Sequence, residues 1–283
     1  MARSKLYAAR KQRIHPGRDE KILTDWNGLA LRAFADAAAY LGRDDYRQIA
    51  ESNAEFIFET LWDGTRLLHS FKDGRARFNA YLDDYVNVAD GLLSLYQLTF
   101  EDKWLKRTES LMDHVIDTFW DADNGGFYFT DIDHESLITR TKDYFDNATP
   151  SGNSVAADVL VRLGALLGRR DLTEKAEKLF ASTGALLAQY PSAFGRLLEA
   201  IDFHLGPSKE IAIVVADKVG HSFISAYRKR YLPRTVIAAG ESDSMELLRD
   251  RPAIQGKSTA YICENMTCQR PVTEVSEFEK QLS

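Results

Sequence analysis

Helix pairs recur along this chain at a nearly constant offset, and that repeat limits the possible fold more than any other feature. Apolar residues at helical spacing run from Leu29 to Leu41 (Leu31, Phe34, Ala35, Ala38); the turn GRDD follows, and a second helix is expected from Tyr46 to Leu61. The pattern returns from Tyr85 through Val88, Ala89, Leu92, Leu95, Tyr96 and Thr99, turns at FEDK, and continues from Trp104 to Phe119. Trp62 and Trp120 close the two second helices 58 residues apart, the offset that also separates Asn27 from Tyr85. A third copy starts at Asn153, 68 residues after Tyr85, turns at GRRD and runs on from Leu172 to Gln189, the longer interval marking an insertion. A fourth helix of the first type, Phe194 to Leu205, follows without a partner of the same kind. Repeated helix pairs of this period predict a solenoid or a closed toroid of αα-hairpins.

Connection lengths add a direction. Links within each hairpin are short, about four residues by the usual prior, whereas the links between hairpins are long and carry the strand-like pieces DGTRLLHSF and DNGGFYFTD. One face is therefore trimmed and the other elaborated. The elaborated face carries three stretches that lead into inner helices: TDWNG (residues 24–28), LDDY (82–85) and DNATPSGNS (146–154). In the last of these, Pro150 disfavours helix at Thr149, Gly152 permits close backbone approach, and Ser151 or Asn153 can cap the first turn. Loops held by a rigid scaffold concentrate binding and catalysis, so the N-termini of the inner helices are the expected site.

The pattern changes after Gly206. KEIAIVVAD (209–217) reads as a strand, His221 to Arg230 as a helix and TVIAAG (235–240) as a second strand, a βαβ unit. STAYICE (258–264) is expected as a third strand and residues 276–282 as a closing helix. The reading is mainly α: residues 1–205 as a partial αα-hairpin toroid, (α/α)6-barrel-like, and residues 206–283 as a small α/β domain with parallel strands. Its first turn has no glycine-rich fingerprint, so no dinucleotide cofactor is expected.

Net charge is −6, which argues against nucleic acid as a partner because phosphate binding needs a basic surface. The basic run Arg3 to Arg18 is the local exception and reads as a solvated arm. No 18-residue apolar run or signal-peptide core is visible, so a cytoplasmic protein without membrane association is expected. The two cysteines, Cys263 and Cys268, fit a reducing compartment and imply no disulfide framework. Their spacing is not the C-x-x-C redox spacing and supplies too few ligands for zinc, leaving a thiol role as a minor reading.

Asp83 and Asp84 could supply general acid/base groups or bind sugar hydroxyls; read plainly, one caps its helix and the other complements the helix dipole. Asp25 has the same two readings. Flat faces from Trp26, Tyr81, Tyr85 and Tyr144 beside the polar groups of Asn27, Asn79, Asn153 and Asp146 suit a polyhydroxylated ring, and paired carboxylates are the usual machinery for glycosidic bonds. Three helix N-termini at one mouth favour an anionic group on that ligand. His69 reads as a solvated loop residue, and His114, His204 and His221 read as structural. No histidine pair has ligand spacing, so no metal is expected.

KILTDWNGL, LDDY with GLLSLYQLTFEDKWL, FWDADNGGFYFT, DNATPSGNSVAA and TAYICENMTCQRPVTE together resemble the spermatogenesis-associated, thioredoxin-domain-containing protein family over nearly the whole chain. The resemblance implies an (α/α)6 toroid similar to six-hairpin glycosidases and N-acylglucosamine 2-epimerases, preceded in full members by a thioredoxin-like domain. Only the C-terminal part of that pattern is matched, with about three hairpins where six close a ring. A thioredoxin-like domain or a second chain completing the ring is therefore an expected partner. By position, Trp26, Asn27, Asp84, Tyr85, Asp146, Ser151, Gly152 and Asn153 match family motif residues, whereas Asp25 and Asp83 stand where the family commonly has other residues.

The resulting expectation is a carbohydrate-binding or carbohydrate-processing domain, hydrolase-like or epimerase-like. Asp84 is the acid/base group aided by Asp83 or Asp25, Trp26 and Tyr85 stack on the sugar, Asn27 and Asn153 hold its hydroxyls, and Asp146, Ser151 and Gly152 complete the pocket. The alternative is a non-catalytic binding or scaffold module of a thioredoxin-like redox protein; a redox role for Cys263 and Cys268 is a separate, minor reading.

Overall fold

A computed structural model describes residues 1–134, 138–264 and 267–282. Its helices are α1 (Ala2–Lys11), α2 (Thr24–Leu41), α3 (Asp44–Thr60), α4 (Leu82–Thr99), α5 (Asp102–Phe119), α6 (Gly152–Leu167), α7 (Arg170–Gln189), α8 (Gly195–Leu205), α9 (Val219–Arg228) and α10 (Val275–Gln281). The strands are β1 (Ile22–Leu23), β2 (Leu68–Lys72), β3 (Arg75–Asn79), β4 (Lys209–Val214), β5 (Thr235–Gly240), β6 (Thr259–Glu264) and β7 (Thr267–Cys268).

Three αα-hairpins, α2–α3, α4–α5 and α6–α7, form as the repeat predicts. Each link is only two residues, shorter than expected because the helices absorb the flanking turn residues. The first link residue is left-handed in every case: Gly42 and Gly168 at φ 65° and Phe100 at φ 58°. That conformation stops the inner helix and reverses the chain. Acidic residues in the next first turn, Asp44, Asp102 and Asp171, oppose the positive end of each outer helix dipole.

Helices α2, α4, α6 and α8 pack in sequence as an inner arc, with α3, α5 and α7 outside it. The α2–α4 seam is a direct backbone contact. A Cβ at Gly28 would lie 2.5 Å from Asn87 C and Val88 N, and one at Gly91 would lie 2.8 Å from Gly28 O. Buried apolar residues run through the arc in one cluster, including Leu31, Tyr85, Leu92, Trp104, Phe119, Leu160 and Leu197.

Three local readings change, and the strand expected in DGTRLLHSF forms. TDWNG is not a loop but the first turn of α2. The basic N-terminal run forms a helix, α1, and every one of its residues is exposed. DGTRLLHSF and the residues after it give β2 and β3, which join β1 in an antiparallel sheet of order β1-β2-β3. DNGGFYFTD makes only an isolated bridge, Trp120 to Phe127, because Asp121 folds the segment into a turn instead. The Asp121 carboxylate accepts from Asp123 N, Asn124 N, Tyr128 Oη and Lys142 Nζ.

The C-terminal sheet has the order β5-β4-β6-β7. β4 and β5 are parallel, joined through α9, as expected. β6 runs antiparallel to β4, which corrects the all-parallel reading: the chain leaving β5 stays at the same end of the sheet and enters β6 with Thr259 opposite Val214. Alternation divides the sheet between two cores. Ala212, Val214, Val236, Ala238 and Tyr261 join the helical arc, while Ile211, Ile213, Ile237 and Ile262 pack with Phe223 of α9 and Phe278 of α10.

The sequence implies no disulfide, yet Cys263 and Cys268 are bonded to each other. The β6–β7 register places them directly opposite, a non-local pairing that sequence spacing does not reveal. Asn265 and Met266, between them, lie outside the described residues. No helix among the described residues is long and apolar enough to cross a membrane.

Candidate functional site

The first turns of α2, α4 and α6 converge, and the carboxylate of Asp84 organises the convergence. Asp84 is 1% exposed. Its Oδ2 accepts from Tyr81 N at 2.8 Å, half of a capping box on α4. Its Oδ1 accepts from Asp25 N at 2.9 Å, which ties the start of α2 to α4. His69, on β2, brings Nδ1 to 2.9 Å from Oδ2. Burial pushes the Asp84 carboxyl up against the pull of His69 and the two backbone N–H groups. In turn, the Asp84 hydrogen bond raises His69 above its ordinary value, with burial opposing. Both carboxylate oxygens of Asp84 are thus engaged by groups of the protein itself.

Asp83 differs from its neighbour. Burial, then the charges of Asp84, Asp25 and Asp143, push its carboxyl up to about 7, and the Gly152 N–H only partly offsets them. Asp25 is also raised, first by burial and then by Asp84. Two carboxyl groups from different helices, Asp25 and Asp83, therefore share one electrostatic environment. Asp83 packs closely on Gly152, where a Cβ would meet Asp83 Oδ1 and the Leu82 side chain and displace them.

Several expected ligand-binding residues hold the protein instead. Tyr85 is 1% exposed, stacks on His114 at 4.8 Å and accepts from Leu67 N through its hydroxyl. Asn153 spends its amide on Phe127 N, Phe127 O and Asp143 O, pinning the long α5–α6 link. Ser151 is the N-cap of α6, accepting from Ser154 N. Asp146 accepts from Ser151 N and from Arg196 N at the start of α8. Asn27 donates to Leu23 O, one turn back. Trp26 alone of the expected stacking residues is open, at 62% exposure.

The histidines are arranged otherwise than the sequence suggests. His69 is not a free loop residue; it is bonded to Asp84 and lies edge-on to Tyr81, ring centres 5.1 Å apart. His134, which the sequence gave no reason to single out, also approaches Tyr81 to 5.1 Å and bonds Asp131 Oδ1 at 2.8 Å. Among the described residues no group of three His, Cys, Asp or Glu side chains is arranged to hold a metal.

Below the mouth, the arc lines an open cleft of about 840 Å³. Its walls are Arg32, Asp36 and Tyr40 of α2, Asp90, Ser94 and Gln97 of α4, Asp158 and Arg162 of α6, and Leu198 and Glu199 of α8; residues Arg228 to Pro233 form its floor. This cleft and the mouth are levels of one wall. Asp25 and Arg32 are seven residues apart, as are Asp83 and Asp90, which places each pair on one helix face about 10 Å apart. That seven-residue charge stripe is the signal by which the cleft could have been read from sequence.

The wall carries a buried ion network. Arg196 Nη2 lies 3.0 Å from Asp90 Oδ2 and 2.7 Å from Asp158 Oδ2, Arg32 pairs with Asp90 at 2.6 Å, and Arg162 pairs with Asp158 at 2.9 Å. Burial works against ionising Asp158, but Arg162, Arg196 and Arg32 override it and hold its carboxyl below the ordinary range. Asp36 goes the other way, raised by burial despite Arg32.

Compared with known proteins, the chain is similar to spermatogenesis-associated protein 20 of Homo sapiens, 29% identical over 299 residues, covering 98% of this chain and 38% of that protein. An uncharacterized protein of Caenorhabditis elegans is 26% identical over 99% of this chain and 40% of its own length. The chain thus spans well under half the length of these relatives. No family model matches. Among solved structures, cellobiose 2-epimerase from Bacillus thermoamylovorans superposes with a TM-score of 0.49 at 14% identity, over 59% of this chain and 45% of that one. An unsaturated glucuronyl hydrolase from a Bacillus species gives 0.47 at 17%, over 60% and 49%. Both are carbohydrate-processing enzymes with α/α toroid folds.

Proposed function

We propose that the concave wall of α2, α4, α6 and α8 binds a sugar-like, polyhydroxylated ligand, and that Asp83 is its acid/base group with Asp25 as the companion carboxylate. The observation that carries this reading is the division of labour at the mouth: Asp84 is engaged in holding three segments together, while Asp83 is half-buried beside other carboxyls. A carboxyl that holds its proton to near pH 7 can donate it to a leaving oxygen. Trp26 offers an exposed ring at the rim, and the cleft volume is within the range of small-molecule sites.

Completion of the arc by a further part of a longer protein or by a second chain belongs to this reading, as do a thioredoxin-like partner and a cytoplasmic location. A binding module without turnover is the second reading. It is favoured by the number of motif residues, Asp146, Ser151 and Asn153 among them, whose polar groups serve the fold.

Saturation-transfer NMR against aldoses, uronates and glycosides, followed by turnover assays on the binders, tests both. Binding with turnover that Asp83→Asn abolishes supports the enzyme. Binding with no turnover supports the module. No binding by any sugar to a chain that melts cooperatively rejects both.

A further inference from the structure

A row of side chains crosses the C-terminal sheet to its edge. Glu210 on β4 is the register partner of Cys263 on β6, which in turn is the partner of Cys268 on β7; directly opposed residues share a face. Arg251, from the connection between β5 and β6, lies against both sulfurs: Nη2 is 3.5 Å from Cys263 Sγ and 4.0 Å from Cys268 Sγ. Its Nη1 is fixed by Leu247 O at 2.5 Å. The sulfurs are not equivalent. Cys263 is 3% exposed, whereas Cys268 is exposed on the edge strand.

A structural crosslink is a poor account of this arrangement. The bridge joins residues five apart that already face each other in a hairpin, and short loops constrain the unfolded chain least. A cation held against both sulfurs, by contrast, favours the thiolate form that exchange chemistry requires.

We propose that Cys263–Cys268 is a thiol–disulfide exchange site for a dithiol reductant, with Cys268 the sulfur attacked and Arg251 stabilising the departing Cys263 thiolate. The reductant's thiolate forms a bond to Cys268 Sγ as the bond between Cys268 and Cys263 breaks, and the electron pair leaves on Cys263. Glu210, whose carboxyl burial raises against the pull of Arg251, stands on the same row to protonate Cys263 and is reprotonated from solvent. The reductant's second thiol, as thiolate, then attacks its own sulfur in the mixed disulfide, and Cys268 leaves and is protonated by water. The protein disulfide gains two electrons and two protons, and the dithiol becomes a disulfide. This chemistry is separate from the proposed sugar site.

The whole chain would be equilibrated in dithiothreitol buffers of stepped redox ratio, quenched, and labelled with a maleimide mass tag, with circular dichroism recorded alongside. The expected result is a reversible gain of two thiols while the fold persists. In a Cys268→Ser variant, the alkylation of Cys263 should show a pH midpoint below the free-thiol value of about 8.5, shifted up by roughly one unit in Arg251→Gln and restored in Arg251→Lys. Thiols that appear only on unfolding overturn the assignment, and so does a pH profile that Arg251→Gln leaves unchanged. If Arg251→Gln does not fold, a wild-type Arg251 midpoint at or above about 8.5 overturns it alone.

Discussion

His69 Nδ1 lies 2.9 Å from Asp84 Oδ2, and this pair fastens β2 onto the first turn of α4. With Asp25 N on the other carboxylate oxygen, one side chain sets the relative positions of β2, α2 and α4. The lip of the arc is therefore rigid at the point where Asp83 and Asp25 meet.

Replacing Asp84 should expose that dependence. Asp84→Ala removes the α4 cap and leaves the Asp25 N–H unpaired, so a loss of about 1–3 kcal/mol is expected in urea unfolding. His69 should then titrate closer to its ordinary value of 6.5, as followed by NMR. The sign is fixed. Because the folded value is raised, the pair's contribution is fully present below about pH 6.5 and is lost as pH rises through the folded value.

Asp83 gives a second pH effect over a lower window. Its folded value of about 7 exceeds the ordinary aspartate value of 3.8, so the native state holds a proton that the unfolded chain releases. Stability therefore falls as pH rises from about 4 through 7. Asp83→Asn should flatten that part of the curve and raise the melting temperature at about pH 8, by roughly 2 °C for each kcal/mol relieved. An unchanged pH–stability curve in the variant would show that Asp83 is ionised in the native state.

Arg196→Met should be severe. It strands Asp90 and Asp158 with only Arg32 and Arg162 to neutralise them, and breaking a buried pair costs about 3–5 kcal/mol. Arg196→Met combined with Asp158→Leu should recover part of the loss, measurable as a double-mutant cycle.

Gly28→Ala tests the α2–α4 seam. The added Cβ meets backbone, not a flexible side chain, so the helices must separate, and a loss of about 1–3 kcal/mol or more is expected. An alanine tolerated within about 0.5 kcal/mol would mean that the seam is looser than described.

Trp26→Ala separates binding from folding. The ring is exposed, so the midpoint of unfolding should move by no more than about 0.5 kcal/mol. Affinity for a sugar-like ligand should fall by several-fold as the stacking surface is lost.

The hairpins were legible because helix period and turn composition are local. GRDD, FEDK and GRRD mark the links directly. The burial of Tyr85 was also within reach, since it shares a helix face with Val88, Ala89 and Leu92, yet its place in a polar motif drew it into the ligand site. The roles of Asp84 and Asn153 were not legible. Their partners, His69 and Phe127, lie 15 and 26 residues away on segments whose path depends on packing. The same holds for Cys263 and Cys268, whose pairing rests on a strand register.

The sheet that follows the arc has no face of its own to lose. Ala212 and Val214 are buried in the helical cluster, while Ile211 and Ile213 are buried under α9 and α10, so alternate residues of β4 belong to different cores. Melting either layer strips one side of the same strands. A heating scan should therefore give a single cooperative transition, with calorimetric and van't Hoff enthalpies in agreement, and a cut near Gly206 should leave two pieces that each aggregate through the surface they had shared.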